Sequence, residues 1–508
     1  MPKLRRVARG LALTAAVAVP ALAAAPAARA VAARAGRLVH LLNRIALGPT
    51  AQDVARVRRI GIERYIAEQL DPGAIPESAA LTRRLATLDT LKLSPVAAFA
   101  EYGPKSTGDG VAPTAAAQEA RMKRADAMLQ QERAARIWRA LLSPRQLYEA
   151  MVDFWFNHFN VYAYDGYDQL WIADYEERAI RPYALGRFRD LLLATARHPA
   201  MLYYLNNDSN TAPGSPAAQG MFNGLNENYA REVMELHTLG VDGGYTQRDV
   251  TALARMLTGW GLDYANLAAG SGSAFRFDPA RHDASEEDFL GQRIPAGGEA
   301  QGVAALDLLA SSPATAHHIA VELAQYFVAD EPPAGLVDRL AQRFRDSDGD
   351  IKAVMAALLA SPEFRDGAGG KYKTPYQYVL SAVRAAGVAV DDPQPVLGAM
   401  AELGMPLYLC PTPDGYKNTE AAWLSPAAAA QRAEFAVFLG GGAFARYAAA
   451  PPKPLVAAAG TPARPLDPGP LDALLAPMLG ERTRAAVAAA PARLQAALIL
   501  GSPDFMRR

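Results

Sequence analysis

No intramolecular disulfide can form in this chain, because its 508 residues include one cysteine, Cys410. Whatever the redox compartment, the fold rests on its apolar core. An excess of one charge is also missing, since Lys and Arg total 52, as do Asp and Glu. Residues 1–30 hold Lys3, Arg5, Arg6, Arg9 and Arg29 and no acid, which leaves 47 basic against 52 acidic residues beyond them. That small acidic surplus gives no purchase on a polyanion, so nucleic acid is not the expected partner. Common catalytic signatures are absent too: there is no His-Glu-x-x-His, no Gly-x-Ser-x-Gly and no phosphate-cradling glycine loop. Asp346, Asp348 and Asp350 have calcium-loop spacing. The glycine falls at Gly349, however, and Ala357 stands where the closing acid belongs, so Asp350 reads instead as the cap of a helix from Ile351.

A long apolar run is lacking as well. Residues 11–25 are apolar but short for a membrane span and interrupted by Pro20. With the basic start before them and Ala28-Arg29-Ala30 after, residues 1–30 read as a cleavable signal peptide, and the chain as periplasmic or secreted. Arg5-Arg6 lacks the usual surroundings of a twin-arginine signal, so the general export route is expected, with no transmembrane segment after cleavage.

What is abundant is Ala, Leu and Arg in helical spacing, with little Val/Ile/Thr alternation. Ser94-Pro95, Ser143-Pro144, His198-Pro199, Ser312-Pro313, Ser361-Pro362, Ser425-Pro426 and Ser502-Pro503 mark helix junctions. A serine there can accept from the first turn's free N–H groups, and a following proline has no N–H to waste. The fold class is all-α, a multi-helix assembly. The stretches 356–364 and 496–505 share an apolar run, Ser-Pro, an acid and Phe, without the fixed period of a solenoid. Residues 102–113 and 268–273 read as loops. The expected organisation is a main helical domain at 36–447, an Ala/Pro-rich linker at 448–470 and a helical segment at 471–508.

The densest polar segment is Asn226-Glu227-Asn228-Tyr229-Ala230-Arg231-Glu232-Val233-Met234-Glu235-Leu236-His237. On a helix, Asn228, Arg231, Glu232 and Glu235 form one stripe, either a wet charged face or a site. His237 would lie about 200° from Glu235, which denies the two a common ion. Thr246 and Asp249 form a capping box. Asn157 and His158, inside Phe154-Trp155-Phe156-Asn157-His158-Phe159, either complete a core network or face a cavity. His282-Asp283 follows Pro279 in a loop, as a base, a ligand or a loop hydrogen bonder. Of the adjacent His317 and His318, only His318 has helical chelate spacing, to Glu322. Cys410, before Pro411, has no activating motif.

These motifs together resemble the bacterial family catalogued as domain of unknown function 1800. The resemblance runs through His40-Leu41-Leu42-Asn43-Arg44, Gly48-Pro49-Thr50, Phe154-Trp155 with Asn157-His158-Phe159, and nearly all of 226–260. It continues at His282-Asp283, Lys371-Tyr372-Lys373-Thr374-Pro375, Leu403-Gly404-Met405-Pro406-Leu407, Gly415-Tyr416, Trp423-Leu424 and Pro426. It implies an exported helical protein, often encoded beside a sulfatase-like exported family, and brings no settled catalytic residues. Many relatives carry histidine where this chain has Phe156 and glutamine where it has Met405, and often no cysteine at 410.

The functional expectation is a hydrolase whose pocket gathers separated motifs. Glu232, Glu235, His237, His158, His282 and Asp283 are the catalytic candidates, and Asn157, Asn228 and Arg231 the substrate-binding ones. The same groups can hold a divalent metal, though no specific cofactor follows. The alternative is a non-catalytic envelope protein that binds a sulfatase-like partner.

Overall fold

Helix-forming sequence with capped junctions yields the expected all-α architecture. The computed structural model describes residues 24–104, 114–366, 370–448 and 464–508. Most of the expected signal peptide and of the expected linker lies outside these. Among the described residues, strands form only two short antiparallel hairpins. In the first, Trp260–Leu262 pairs with Phe275–Phe277, Trp260 opposite Phe277. In the second, Glu287–Phe289 pairs with Gln292–Ile294, Glu287 opposite Ile294. The loop expected at 268–273 begins later than anticipated, because Tyr264–Ala269 is helical up to Gly270, whose left-handed backbone (φ 69°) closes it. No helix among the described residues is long and apolar enough to cross a membrane.

The junction serines cap as expected. Ser94, Ser312, Ser361 and Ser425 each accept an N–H of the helix that follows. At His198-Pro199 the ring Nδ1 accepts from Ala200 instead. Ser143 ends the helix Ala115–Leu142 and accepts from Arg145 N at 3.1 Å, so the next helix starts only at Gln146. The two similar stretches share one device: Ser361 and Ser502 accept from Phe364 N and Phe505 N, and both phenylalanines are buried.

Helices Gln146–His158 and Pro375–Ala386 are buried on nearly every face and form the centre. The buried second half of Ala115–Leu142 packs beside them. Asn228–Glu235 and Pro313–Phe327 close over the His158 end of the central helix. Residues beyond the expected linker join the same core: Leu471, Leu475 and Phe505 belong to its hydrophobic cluster. The backbone of Lys371 exchanges hydrogen bonds with that of Arg508 at 3.0 and 2.8 Å.

Candidate functional site

A cavity of about 250 Å³ opens where the His158 end of the central helix meets Glu235 and the helix Pro313–Phe327. Several elements build it. The central helix contributes Asp153, Asn157 and His158, spaced four and one apart so that Asp153 and Asn157 share a face. Pro313–Phe327 contributes His318, Glu322 and Tyr326, again four apart. A loop, residues 405–418, covers one open side with Met405, Asp414, Tyr416 and Lys417.

The loop hangs from two asparagines. Asn157 accepts from Tyr416 N at 2.8 Å and donates to Tyr416 O at 2.9 Å. Asn160 donates to the carbonyls of Cys410 and Thr412. Gly415 (φ 63°) must be glycine, since a side chain there would strike the Asn157 carbonyl. Asn157 therefore lines the cavity as expected but spends its amide on the loop, which makes it a positioning residue.

His158 is packed between Phe154, Trp155 and Phe159. Its Nδ1 lies 2.6 Å from Glu322 Oε2 and its Nε2 3.1 Å from His237 O. Both partners are acceptors, an arrangement that a doubly protonated ring satisfies. The other oxygen of Glu322, Oε1, is 3.6 Å from His318 Nε2, too far for a hydrogen bond, and His318 Nε2 meets Leu236 O at 3.0 Å instead. Burial raises the Glu322 carboxyl, but the charge and hydrogen bond of His158, with His318 and Lys417, outweigh it and leave the pKa below the usual carboxylate range. The Glu322 side chain keeps 32% exposure amid dense surroundings, and it lines the cavity.

The helix Asn228–Glu235 supplies the third wall. Tyr229, Ala230, Val233 and Met234 are buried, while Arg231, Glu232 and Glu235 are half-buried and Asn228 is exposed. The helix ends at Glu235, so the expected helical offset of His237 does not apply. Instead the chain turns, with His237 N bonded to Glu232 O, and buries His237 5.8 Å from the His158 ring. Burial foremost, then the charges of His158 and His318, hold His237 far below the ordinary histidine pKa, so it is neutral. Its Nε2 is buried without a partner. Glu235 lines the cavity, and burial together with Glu235 raises Glu232 one turn back.

The remaining candidates sit elsewhere. Arg231 binds Glu227 and Gln247 at 3.2 and 2.9 Å, beside the cavity rather than in its wall. Asn228 donates to Leu205 O at 3.3 Å. His282 packs on Phe277 with Nδ1 2.9 Å from Thr258 O, and Asp283 orders its own loop through Ser285; neither lines the cavity. Cys410 is buried, with Sγ 3.8 Å from Thr412 Oγ1, and burial raises its thiol, so it is no thiolate nucleophile. Cys410→Ser is expected to shift unfolding free energy by less than about 1 kcal/mol and to leave activity unchanged. A variant that melts like the parent but has lost activity would return the thiol to the chemistry.

The expectations missed Glu322 as a central residue, along with Asp153, Asp414 and Lys417. The His318–Glu322 spacing was the available signal. Asp153, by contrast, gave none: it accepts from Arg136 at 3.0 Å and from Tyr326 at 2.9 Å, partners on two other helices.

Fold and site together define a helical protein with a polar cavity walled by carboxylates and histidines. The chain belongs to the family described as protein of unknown function (DUF1800), whose family model matches residues 40–507. No curated protein and no solved structure matches it.

Proposed function

We propose that the protein is a hydrolase and that this cavity is its active site. The observation that carries the reading is the 2.6 Å pairing of Glu322 with His158, which favours the ionised carboxylate and leaves its second oxygen, 3.6 Å from His318 Nε2, without a hydrogen bond. A water held by that oxygen is oriented and polarised for attack. The proton for the leaving group comes from the Glu232–Glu235 pair. Burial and the neighbouring Glu235 charge raise the Glu232 carboxyl, so it holds a proton more readily than an ordinary glutamate, and Glu235 beside it stands in the cavity wall. Carboxylates whose surroundings push their pKa values apart divide naturally into base and acid. Asp153, Glu235, Glu322 and Asp414 outnumber the cavity's cations, so an uncharged or cationic substrate fits. At about 250 Å³ the cavity takes one small unit of it.

The test is a screen of the purified protein on p-nitrophenyl esters, phosphates and glycosides, with Glu235→Ala and Glu232→Ala beside the parent. The expected result is turnover of one class, reduced about 100-fold or more in Glu235→Ala. Stability should stay within about 1 kcal/mol, because half-exposed charges stabilise little. Variants that turn over as fast as the parent would sink the reading. Tight binding without turnover would favour the non-catalytic envelope protein.

Export is part of the same proposal, supported by the basic start, the short apolar run and Ala28-Arg29-Ala30. N-terminal sequencing of protein from the cell envelope should begin near Val31. An intact Met1 on that material would contradict it.

A further inference from the structure

Behind the cavity, Arg136, Arg139 and Arg181 are packed among Glu132, Glu149, Asp153, Glu176 and Glu177. Glu132, Glu176 and Glu177 bring oxygens within 4.8 Å of one another, a spacing that a metal ion would accept. Guanidinium groups already take that part: Arg136 and Arg181 bind Glu176, and Arg139 and Arg181 bind Glu177. Among the described residues no cation forms an ion pair with Glu132, and its Oε2 is buried without a hydrogen bond.

The Glu132 Oε1 atom lies 3.1 Å from the Tyr408 hydroxyl, which also lies 2.7 Å from Glu176 Oε2. One hydroxyl proton cannot serve two carboxylates at once. The set is complete when a further proton sits on Glu132 Oε1. Glu132 then donates to the Tyr408 oxygen, and Tyr408 donates to Glu176, whose charge Arg136 and Arg181 hold. Tyr408 reaches this place from a left-handed backbone (φ 64°), a costly conformation for a bulky side chain. Burial, then the charges of Glu176 and Glu177, raise the Glu132 carboxyl well above its usual range, with Arg139 and Arg181 opposing.

This chain of groups reaches open space. Tyr408 and Arg136 line a second void of about 30 Å³, room for one water. Its wall shares Asp153, Asn157, Met405 and Tyr416 with the main cavity. We propose that Glu132 is a carboxylic acid at neutral pH and that the Glu132–Tyr408 relay delivers its proton, through this inner void, to the cavity. In the transfer the Tyr408 hydroxyl turns from Glu176 to a water in the void, its O–H breaks as that water takes the proton and passes one on to the cavity, and the Glu132 proton forms the new O–H on Tyr408. Glu132 is left as a carboxylate near Arg139 and Arg181, and solvent restores its proton by the reverse path. Delivery rests on the hydrolytic reading of the cavity; the presence of the stored proton does not.

Infrared spectra of the full chain, titrated across neutral pH, test the proposal with Glu132→Gln and Tyr408→Phe beside the parent. The parent should show the carbonyl stretch of a protonated carboxylic acid after the exposed carboxylates have ionised. Glu232 and the buried Asp168, also raised, contribute to both spectra, so the parent minus Glu132→Gln difference should contain one such band, and Tyr408→Phe should shift that band. Melting gives a second readout. An acid whose pKa is raised by folding holds a proton that the unfolded chain releases, so its contribution to stability declines as pH rises above about 4.5. The melting temperature of the parent should therefore fall more steeply with pH than that of Glu132→Gln, whose amide does not titrate. No such stretch in the parent, or no band lost from it in Glu132→Gln, overturns the proposal. Failure of the hydrolytic reading looks different: the stretch stays in place and no probe is turned over.

Discussion

Arg181→Ala is expected to lose about 3–5 kcal/mol of stability, a large share of what holds a typical domain together. Arg181 is 7% exposed and grips both oxygens of the buried Glu149, at 3.2 and 2.7 Å. It also donates to Glu176 at 3.1 Å and approaches Glu177 at 3.2 Å. Removing it leaves Glu149, 3% exposed, with a charge in the core and neither water nor cation to balance it. Glu176 keeps Arg136 and Tyr408, so most of the loss falls on Glu149. Lysine is no substitute, because one ammonium cannot reproduce the forked contact. Removing both charges at once should cost less than removing one. Urea unfolding of Arg181→Ala, Arg181→Met and the double variant Arg181→Met/Glu149→Leu checks this. The double variant should recover at least half the loss of the single ones. If Arg181→Ala unfolds within about 1 kcal/mol of the parent, the network is solvated and its burial is misread.

That network shows where sequence reading stops. The helix caps were legible because a cap is local: Ser94, Ser361 and Ser425 bond to atoms three residues on. The all-α fold followed from spacing and composition for the same reason. Glu132, Arg136 and Arg139, however, sit on a helix that also carries Glu119, Lys123 and Arg124, and spacing gives them all the look of a wet face. Only the packing of the second half of that helix against the core separates them. The π-helical turn Tyr175–Ile180, which sets Glu176 and Glu177 among the arginines, likewise has no signature in residue spacing.

The site was half legible. Asn157, His158, Glu235 and His237 do gather at one place, since aromatic-embedded polar groups need partners and find them there. His282 and Asp283 do not, because their loop is tied to Thr258 away from the cavity. His237 could not be placed while its helix was assumed to continue; the helix stops two residues earlier, and the turn that follows brings its ring 5.8 Å from that of His158. Glu322 was overlooked because its value lies in a partner 164 positions away.

Glu322→Gln is therefore expected to be the most damaging change to activity. The amide oxygen can still accept from His158, so the wall keeps its shape, but the charge that polarises water is gone. Loss of a positioned base lowers rates by about 100- to 10,000-fold. Because His158 holds Glu322 below its ordinary pKa despite burial, the parent should keep its activity as pH falls to about 4.5 and lose it only at lower pH. The sign for stability is the same. A depressed carboxyl stabilises the fold above its unfolded pKa, and that contribution is lost as pH falls through the folded value. Glu322→Gln should show neither dependence. The decisive measurement is the turnover of Glu322→Gln on whichever p-nitrophenyl probe the parent hydrolyses, with a denaturant melt of the same sample. The account predicts a rate lower by at least about 100-fold on a protein that still unfolds cooperatively. A folded Glu322→Gln that turns over the probe at the parent's rate would contradict it.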